Sequence, residues 1–254
     1  MAKSLTLKRS LSFPLVCLYG LGNILGAGVY VLIGKVAGEA GYFTPFSFLM
    51  ASVIAGITAF SFAELTSRYP VSAGEAVYIQ EGFGVKQLSL FVGLLIVLTG
   101  VVSSATIAKG FVGYLNVFIE LPSSLVIIVL LIVLGLVAVW GILESVSTAA
   151  LFTFIEIAGL ILILIVSFPE PGQLALHGAS FVPDLKLNSW IGISSGAFLA
   201  FYAYVGFEDM VNVAEEVKNP KRNLPIAILT ALGLATIMYV LVSVSALLVL
   251  SPEI

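Results

Sequence analysis

Seven long apolar runs dominate the hydropathy pattern of the chain, at about 13–36, 44–66, 87–113, 122–142, 146–168, 189–214 and 225–250. Each is long enough to cross a bilayer as a helix, which takes about 20 residues. Pro70, Pro122, Pro169, Pro171, Pro183, Pro220 and Pro225 fall between the runs or at their edges, where helices start and stop. The longest connection, 169–188, is too short for a soluble domain. The pattern predicts an all-α membrane protein of about seven transmembrane helices.

Two of these spans carry residues that a simple anchor would not need. Gly20, Gly22, Gly26 and Gly28 place four glycines within nine positions of the first run, each costing roughly 1 kcal/mol of helix propensity relative to alanine. Glycine tolerates unusual φ/ψ and lets a ligand approach the backbone. Backbone freed at membrane depth survives only where protein buries it or where it lines a cavity. The alternative is close helix packing, since Gly22 and Gly26 form a GxxxG. Span six gathers Phe201, Tyr202 and Tyr204 before Gly206, and Glu208 and Asp209 follow inside the apolar run. An ionised carboxylate within a span is costly and faces a cavity or a partner. The alternative for Glu208 and Asp209 is that they begin the end of the helix. An interruption is therefore expected within 20–30 and another near 203–206.

Interrupted helices in positions one and six mark an inverted-repeat transporter. A half-helix N-terminus presents unpaired N–H groups and about half a positive charge, which suits a carboxylate. A half-helix C-terminus presents carbonyls, which suit an ammonium. Together they describe a receptor for a zwitterion such as an α-amino acid. No obvious carboxylate beyond these half-sites is visible, which argues against a strongly cationic substrate.

Composition narrows the class further. Sixty per cent of the residues are hydrophobic and only 10% charged, against about 25% charged in soluble domains. Cys17 is the single cysteine and His177 the single histidine, so neither an intrachain disulfide nor a metal cluster can be assembled. No cofactor is expected. Lys3, Lys8, Arg9, Arg68, Lys86, Lys218, Lys221 and Arg222 fall on one side of the membrane if the N-terminus is cytoplasmic, against Lys35, Lys109 and Lys186 on the other. The eight-to-three asymmetry predicts an N-in orientation, in a plasma (inner) membrane. Seven-helix retinal proteins run the other way, and span seven has no lysine to hold retinal. The first run is too long for a signal peptide and lacks its cleavage pattern.

The residues 22–30, Gly-Asn-Ile-Leu-Gly-Ala-Gly-Val-Tyr, resemble the first-helix signature of the amino acid–polyamine–organocation transporters. Phe207-Glu208-Asp209 and the stretch from Ala214 through Glu215-Glu216-Val217-Lys218-Asn219-Pro220 to Pro225 resemble their sixth-helix and following-loop signature. Phe62-Ala63-Glu64-Leu65 and Ser72-Ala73-Gly74-Glu75-Ala76 extend the similarity. The resemblance implies a LeuT-like fold of two inverted five-helix repeats. It would place the first repeat at 1–168, an external loop at 169–188, and the first two helices of the second repeat at 189–254. It also implies that Asn23, Ile24, Gly26, Ala27 and Gly28 face the substrate carboxylate. Phe201, Tyr202, Ala203, Tyr204, Val205 and Gly206 would supply amine-binding carbonyls and an aromatic gate. The family's chains are longer, so the sequence reads as a fragment, a shortened product, or one part of a pair.

Glu156, near the centre of span five, is a candidate proton carrier or counter-ion, and Glu208 is a second candidate for coupling. The alternative for Glu156 is a neutral acid hydrogen-bonded to a neighbouring helix. Lys109 can snorkel to the interface, and Glu64 reads as a helix-end partner for a nearby arginine. An intramembrane enzyme is not expected: no HExxH occurs, and Asp184 and Asp209 are the only aspartates. The function expected is secondary transport of amino acids or related amines by alternating access, driven by protons or exchange. The alternative is a truncated permease acting as a non-transporting membrane subunit or sensor. Expected partners are the small-molecule substrate, membrane lipid and, if the chain works as it stands, a second polypeptide supplying the missing helices. Nucleic acid is not among them.

Overall fold

The computed structural model describes residues 7–72, 74–167 and 178–249. His177, Pro169, Pro171 and the rest of 169–177 in the expected external loop lie outside the described residues. Helices account for nearly everything: α1 (Phe13–Ala40), α2 (Thr44–Arg68), α3 (Gly74–Phe83), α4 (Lys86–Leu115), α5 (Ser123–Trp140), α6 (Ile142–Val166), α7 (Leu187–Tyr204) and α8 (Pro220–Val249). A 3₁₀ helix, Glu208–Glu216, continues the line of α7. Pro14 and Pro45 sit at the first turns of α1 and α2, where a missing N–H costs nothing and the fixed φ suits a helix start.

Six stretches are long and apolar enough to cross a membrane. The first expected span is not among them as one piece because it is divided. Phe13–Gly26 is a shorter apolar helix, and the part from Tyr30 runs on with α2. The stretch between the second and third expected spans, read from sequence as a connection, contains α3, which packs on α4.

The centre of the molecule is a four-helix cluster in which α1 and α2 pack against α7 and α8. Their facing surfaces are made of small residues at i, i+4 spacing. On α2 the buried positions Ser47, Ala51, Ala55, Ala59 and Ala63 form one such stripe. Gly196, Ala200 and Ala203 on α7, with Ala227, Ala231 and Ala235 on α8, supply others. In an apolar solvent, association rests on close packing and interhelical hydrogen bonds, so small residues that let backbones approach are favoured. Ser47 Oγ donates to the Ile193 carbonyl at 2.9 Å and Tyr204 Oη to the Phe48 carbonyl at 3.1 Å, tying α2 to α7. At the periphery, α4 buries only Ala108 and Val112 and α5 buries nothing. Their outward residues, such as Leu90, Phe91, Leu94 and Leu136, are exposed and apolar, as lipid contact requires. Arg68 pairs with Glu64 one turn earlier, as expected of a helix end.

The N-terminal ends of the cluster are also tied by backbone. Leu11 N–H donates to the Glu216 carbonyl and Lys218 N–H to the Leu11 carbonyl, both at 2.9 Å, in an isolated parallel bridge between Leu11 and Val217.

Ala55 is fully buried in the middle of the α2 stripe. Ala55→Leu is expected to destabilise the folded chain in detergent by about 1–3 kcal/mol through overpacking. The exposed neighbour substitution Ile54→Leu should stay within about 0.5 kcal/mol. Denaturant unfolding monitored by circular dichroism measures both.

Candidate functional site

The two expected interruptions are present, and they touch. Within α1, Gly26 leaves helical geometry (φ 14, ψ −146). Helix α7 stops at Tyr204, Val205 is extended (φ −63, ψ 134), and Gly206 takes φ 132, a conformation that other residues rarely adopt. The chain then re-enters helix as 3₁₀ at Glu208. Gly206 N–H is not left open: it donates to Glu208 Oε2 at 2.8 Å.

Close approach explains two further glycines. A Cβ on Gly206 would lie 2.5 Å from the Asn23 carbonyl oxygen, and one on Gly28 would lie 3.0 Å from Ala203 Cα. The GxxxG alternative therefore divides. Gly22 does serve packing, since its Cβ would strike Thr153 Oγ1 of α6. At Gly26 nothing lies within 4 Å of that position, and the backbone breaks there.

Beside the two breaks is a cavity of about 330 Å³. Asn23, Ile24, Gly26 and Gly28 line it from α1, and Tyr202, Ala203, Val205 and Gly206 from the end of α7. Helix α4 contributes Ile96, Thr99, Gly100, Ser103 and Ile107. Three carboxylates, Glu75 of α3 with Glu208 and Asp209, complete the wall, and among the described residues no lysine or arginine lines it. Behind the cavity, the fully buried Tyr239 of α8 places its phenol oxygen 2.5 Å from the Ile24 carbonyl and 2.7 Å from the Ala203 carbonyl.

Comparison with known proteins supplies the family. A sequence model of the family described as "Amino acid permease" matches residues 16–254. The chain belongs to the amino acid permease family. Among curated relatives, cationic amino acid transporter 4, vacuolar, of Arabidopsis thaliana is 35% identical over 251 residues, covering 89% of this chain and 40% of that protein. Cationic amino acid transporter 3, mitochondrial, from the same plant is 31% identical, covering 94% and 42%. The methylthioribose transporter of Bacillus subtilis is 28% identical, covering 95% and 55%. The chain thus spans about half or less of the length of these relatives. Permeases are transporters rather than enzymes, and the apolar spans make this chain an integral membrane protein.

Not every residue expected at the permease site reaches the cavity. The side chain of Ala27 lies outside the described residues. Tyr204 is fully buried and turned toward α2, while Phe201 is half-buried against the core. Tyr202 remains exposed and lines the cavity. Glu156 lies elsewhere, on a second cavity of about 210 Å³ with Tyr19, Gly22, Asn23, Ala149, Phe152 and Thr153. Among the described residues, Asn23 alone lines both cavities.

Three contributions were not anticipated from the sequence. Thr99 and Ser103 stand one turn apart in span three, a polar stripe that could have been noticed. Tyr239 is the one tyrosine of span seven, and a buried phenol needs a hydrogen-bond partner. Glu75 entered only as part of a motif, yet α3 carries it to the cavity wall. With Glu208 and Asp209 it overturns the expectation that no carboxylate beyond the backbone half-sites is available.

Glu75 Oε2 is buried without a hydrogen-bond partner. Burial pushes the Glu75 carboxyl above the usual carboxylate range, and the nearby Glu208 and Asp209 add to the rise, while its own backbone N–H opposes it. A raised folded-state value means that the folded chain holds the proton more tightly than the unfolded one. The resulting stabilisation is present below the ordinary glutamate pKa of about 4.3 and is lost as pH rises through the raised value. Glu75→Gln is expected to flatten that part of the stability–pH curve, measured as Tm between mildly acidic and neutral pH.

Proposed function

We propose that this chain forms the substrate-binding core of a secondary transporter that moves amino acids or related amines across the membrane by alternating access. The observation that carries the reading is the meeting of two helix breaks at one cavity. The half-helix that follows Gly26 offers N–H groups and a positive dipole end to a substrate carboxylate. The end of α7, at Ala203 to Val205, offers carbonyls to the substrate amine. Glu75, Glu208 and Asp209 favour a substrate with a further positive charge, and two of the relatives above are named cationic amino acid transporters. The methylthioribose relative is a reason to test uncharged solutes alongside.

On this reading residues 1–168 are the first five-helix repeat, 169–188 the outer loop, and 189–254 the opening of the second repeat. Further helices, from the same or a second polypeptide, complete the transporter. The Lys/Arg distribution supports a cytoplasmic N-terminus, in a plasma (inner) membrane.

Glu156 is assigned to coupling, as a proton carrier or counter-ion, with Glu208 as the second group. Glu156 faces a cavity separate from the substrate's and shares Asn23 with it, so its charge can act on the site without contacting the substrate. Exchange of one substrate for another is the alternative driving force.

Gly28→Val tests the site. Its side chain would be forced against Ala203, and L-arginine and L-alanine binding should weaken at least tenfold, about 1.4 kcal/mol, in a variant that remains folded. Retained affinity, read by scintillation proximity, would remove the site from this position. Glu156→Gln tests coupling in the complete transporter reconstituted in liposomes. Binding should survive, and the ratio of acid-driven to neutral-pH uptake should fall to about one. Binding without any uptake by the complete protein would point to a sensor or subunit instead.

A further inference from the structure

We infer that the end of the molecule where α2 finishes and α8 begins holds a binding site for an anionic phospholipid. Its phosphate would sit on Arg9, Lys221 and Arg222, and its acyl chains along the apolar faces of α2 and α8. Two grooves meet there. One, of about 240 Å³, is lined by Arg9, Pro70 and residues 219–222. The other, of about 640 Å³, lies between the last turns of α2 and the first turns of α8, where Phe60 and Glu64 face Lys221, Arg222 and Ile226. Lys221 and Arg222 line both grooves.

The fold, rather than any carboxylate, brings the three cations together. Leu11 is fully buried, and its bridge to Val217 sets Arg9, two residues earlier, beside the start of α8. Asn219 takes φ 49, and its carbonyl accepts from the Arg222 and Asn223 N–H groups, both at 3.0 Å, which fixes the turn that presents Lys221 and Arg222. Among the described residues none of the three cations has an ion-pair partner. Glu64, the carboxylate of the wider groove, is already paired with Arg68. The first turn of α8 carries no acidic residue, so Lys221 and Arg222 stand at the positive end of the helix dipole, where cations are disfavoured. An anion relieves this repulsion, and guanidinium groups match the oxygens of a phosphate.

The apolar flank decides the kind of anion. Phe60 and Ile226 are exposed in the wider groove, and Ile57 continues the same side of α2. These residues belong to spanning helices, so lipid surrounds them. Free phosphate or an acidic peptide would meet the cations and leave the apolar flank uncovered; a phospholipid meets both. Each cation near a bilayer surface favours anionic lipid by about fivefold. The orientation proposed above puts this end in the cytoplasmic leaflet, whereas the site itself rests only on the membrane setting.

The test uses the full chain in phosphatidylcholine vesicles, with Phe60→Trp as the reporter in a Trp140→Phe, Trp190→Phe background whose fold is checked by circular dichroism. Quenching by brominated phosphatidylglycerol is compared with quenching by brominated phosphatidylcholine, which gives their relative affinity at the groove. A preference of at least about fivefold for phosphatidylglycerol is expected. It should fall to about one in Lys221→Gln with Arg222→Gln, and by at least about half in Arg9→Gln. Lys86→Gln removes a cation outside both grooves and should change nothing. Equal quenching by the two lipids overturns the proposal, as does a preference that survives the double substitution. An equal loss in Lys86→Gln also overturns it, because net charge would then account for the effect. Inorganic phosphate is the remaining arm, compared with chloride at equal ionic strength in neutral detergent. A rise in Tm with phosphate, without any lipid preference, would make this a free-anion site and overturn the lipid assignment.

Discussion

A peptide group without a partner in hydrocarbon costs several kcal/mol, and this chain interrupts two of its apolar spans. The whole interior is arranged around meeting that demand. Gly206 N–H is capped by the Glu208 carboxylate two residues on. The carbonyls of Ile24 and Ala203 are met by one phenol from α8. Placing the breaks against each other lets each shield the other from lipid, and the same juxtaposition leaves a cavity whose walls are backbone as much as side chain. Broken helices could hardly persist singly here; as a facing pair they share their cover.

That pairing depends on how closely the central helices approach. A Cβ at Gly28 would stand in tight contact with Ala203, and one at Gly206 would overlap the Asn23 carbonyl. Such distances are reached because α2, α7 and α8 meet through alanine, serine and glycine. Leucine in those stripes would hold the backbones apart by more than the site can tolerate. The outer helices follow a different logic. Helix α5 and most of α4 present large apolar side chains outward, and α4 reaches the site only through a narrow stripe that includes Thr99 and Ser103. Packing thus separates a tightly fitted centre, where function is built, from a periphery made for lipid.

Much of this architecture is legible in the chain because the bilayer is a stringent solvent. Runs of some twenty apolar residues have few alternatives to spanning helices, and four glycines at 20–28 weaken one enough to point to a break. Glu208 two residues after Gly206 signalled the second interruption for the same reason. What stayed hidden required knowing which faces meet. Phe201 and Tyr204 share a short helical segment with Tyr202 and Ala203, and nothing local says that Tyr204 turns to the Phe48 carbonyl while Tyr202 faces the cavity. The polar stretch 67–86 offered little periodicity, so helix α3 and the delivery of Glu75 to the cavity wall could not be inferred. Tyr239 lies 215 residues from the Ile24 carbonyl it meets, a distance over which no sequence pattern operates.

The carboxylates around the centre are not equivalent, and their placement restricts what each can do. Glu208 is committed to the backbone of the break, so a change in its charge acts first on the Gly206 amide and the geometry of the second break. Glu75 arrives from α3, outside the paired breaks, and can change its protonation without moving them. Glu156 is separated from the cavity altogether, on the far side of Asn23. Among the described residues Asn23 is shared by the two spaces, with Gly22 beside it on the second. Gly22 is already pressed against Thr153 of α6 and has no slack to absorb a shift. The residues around Glu156 thus bear directly on the α1 backbone one turn before its break at Gly26.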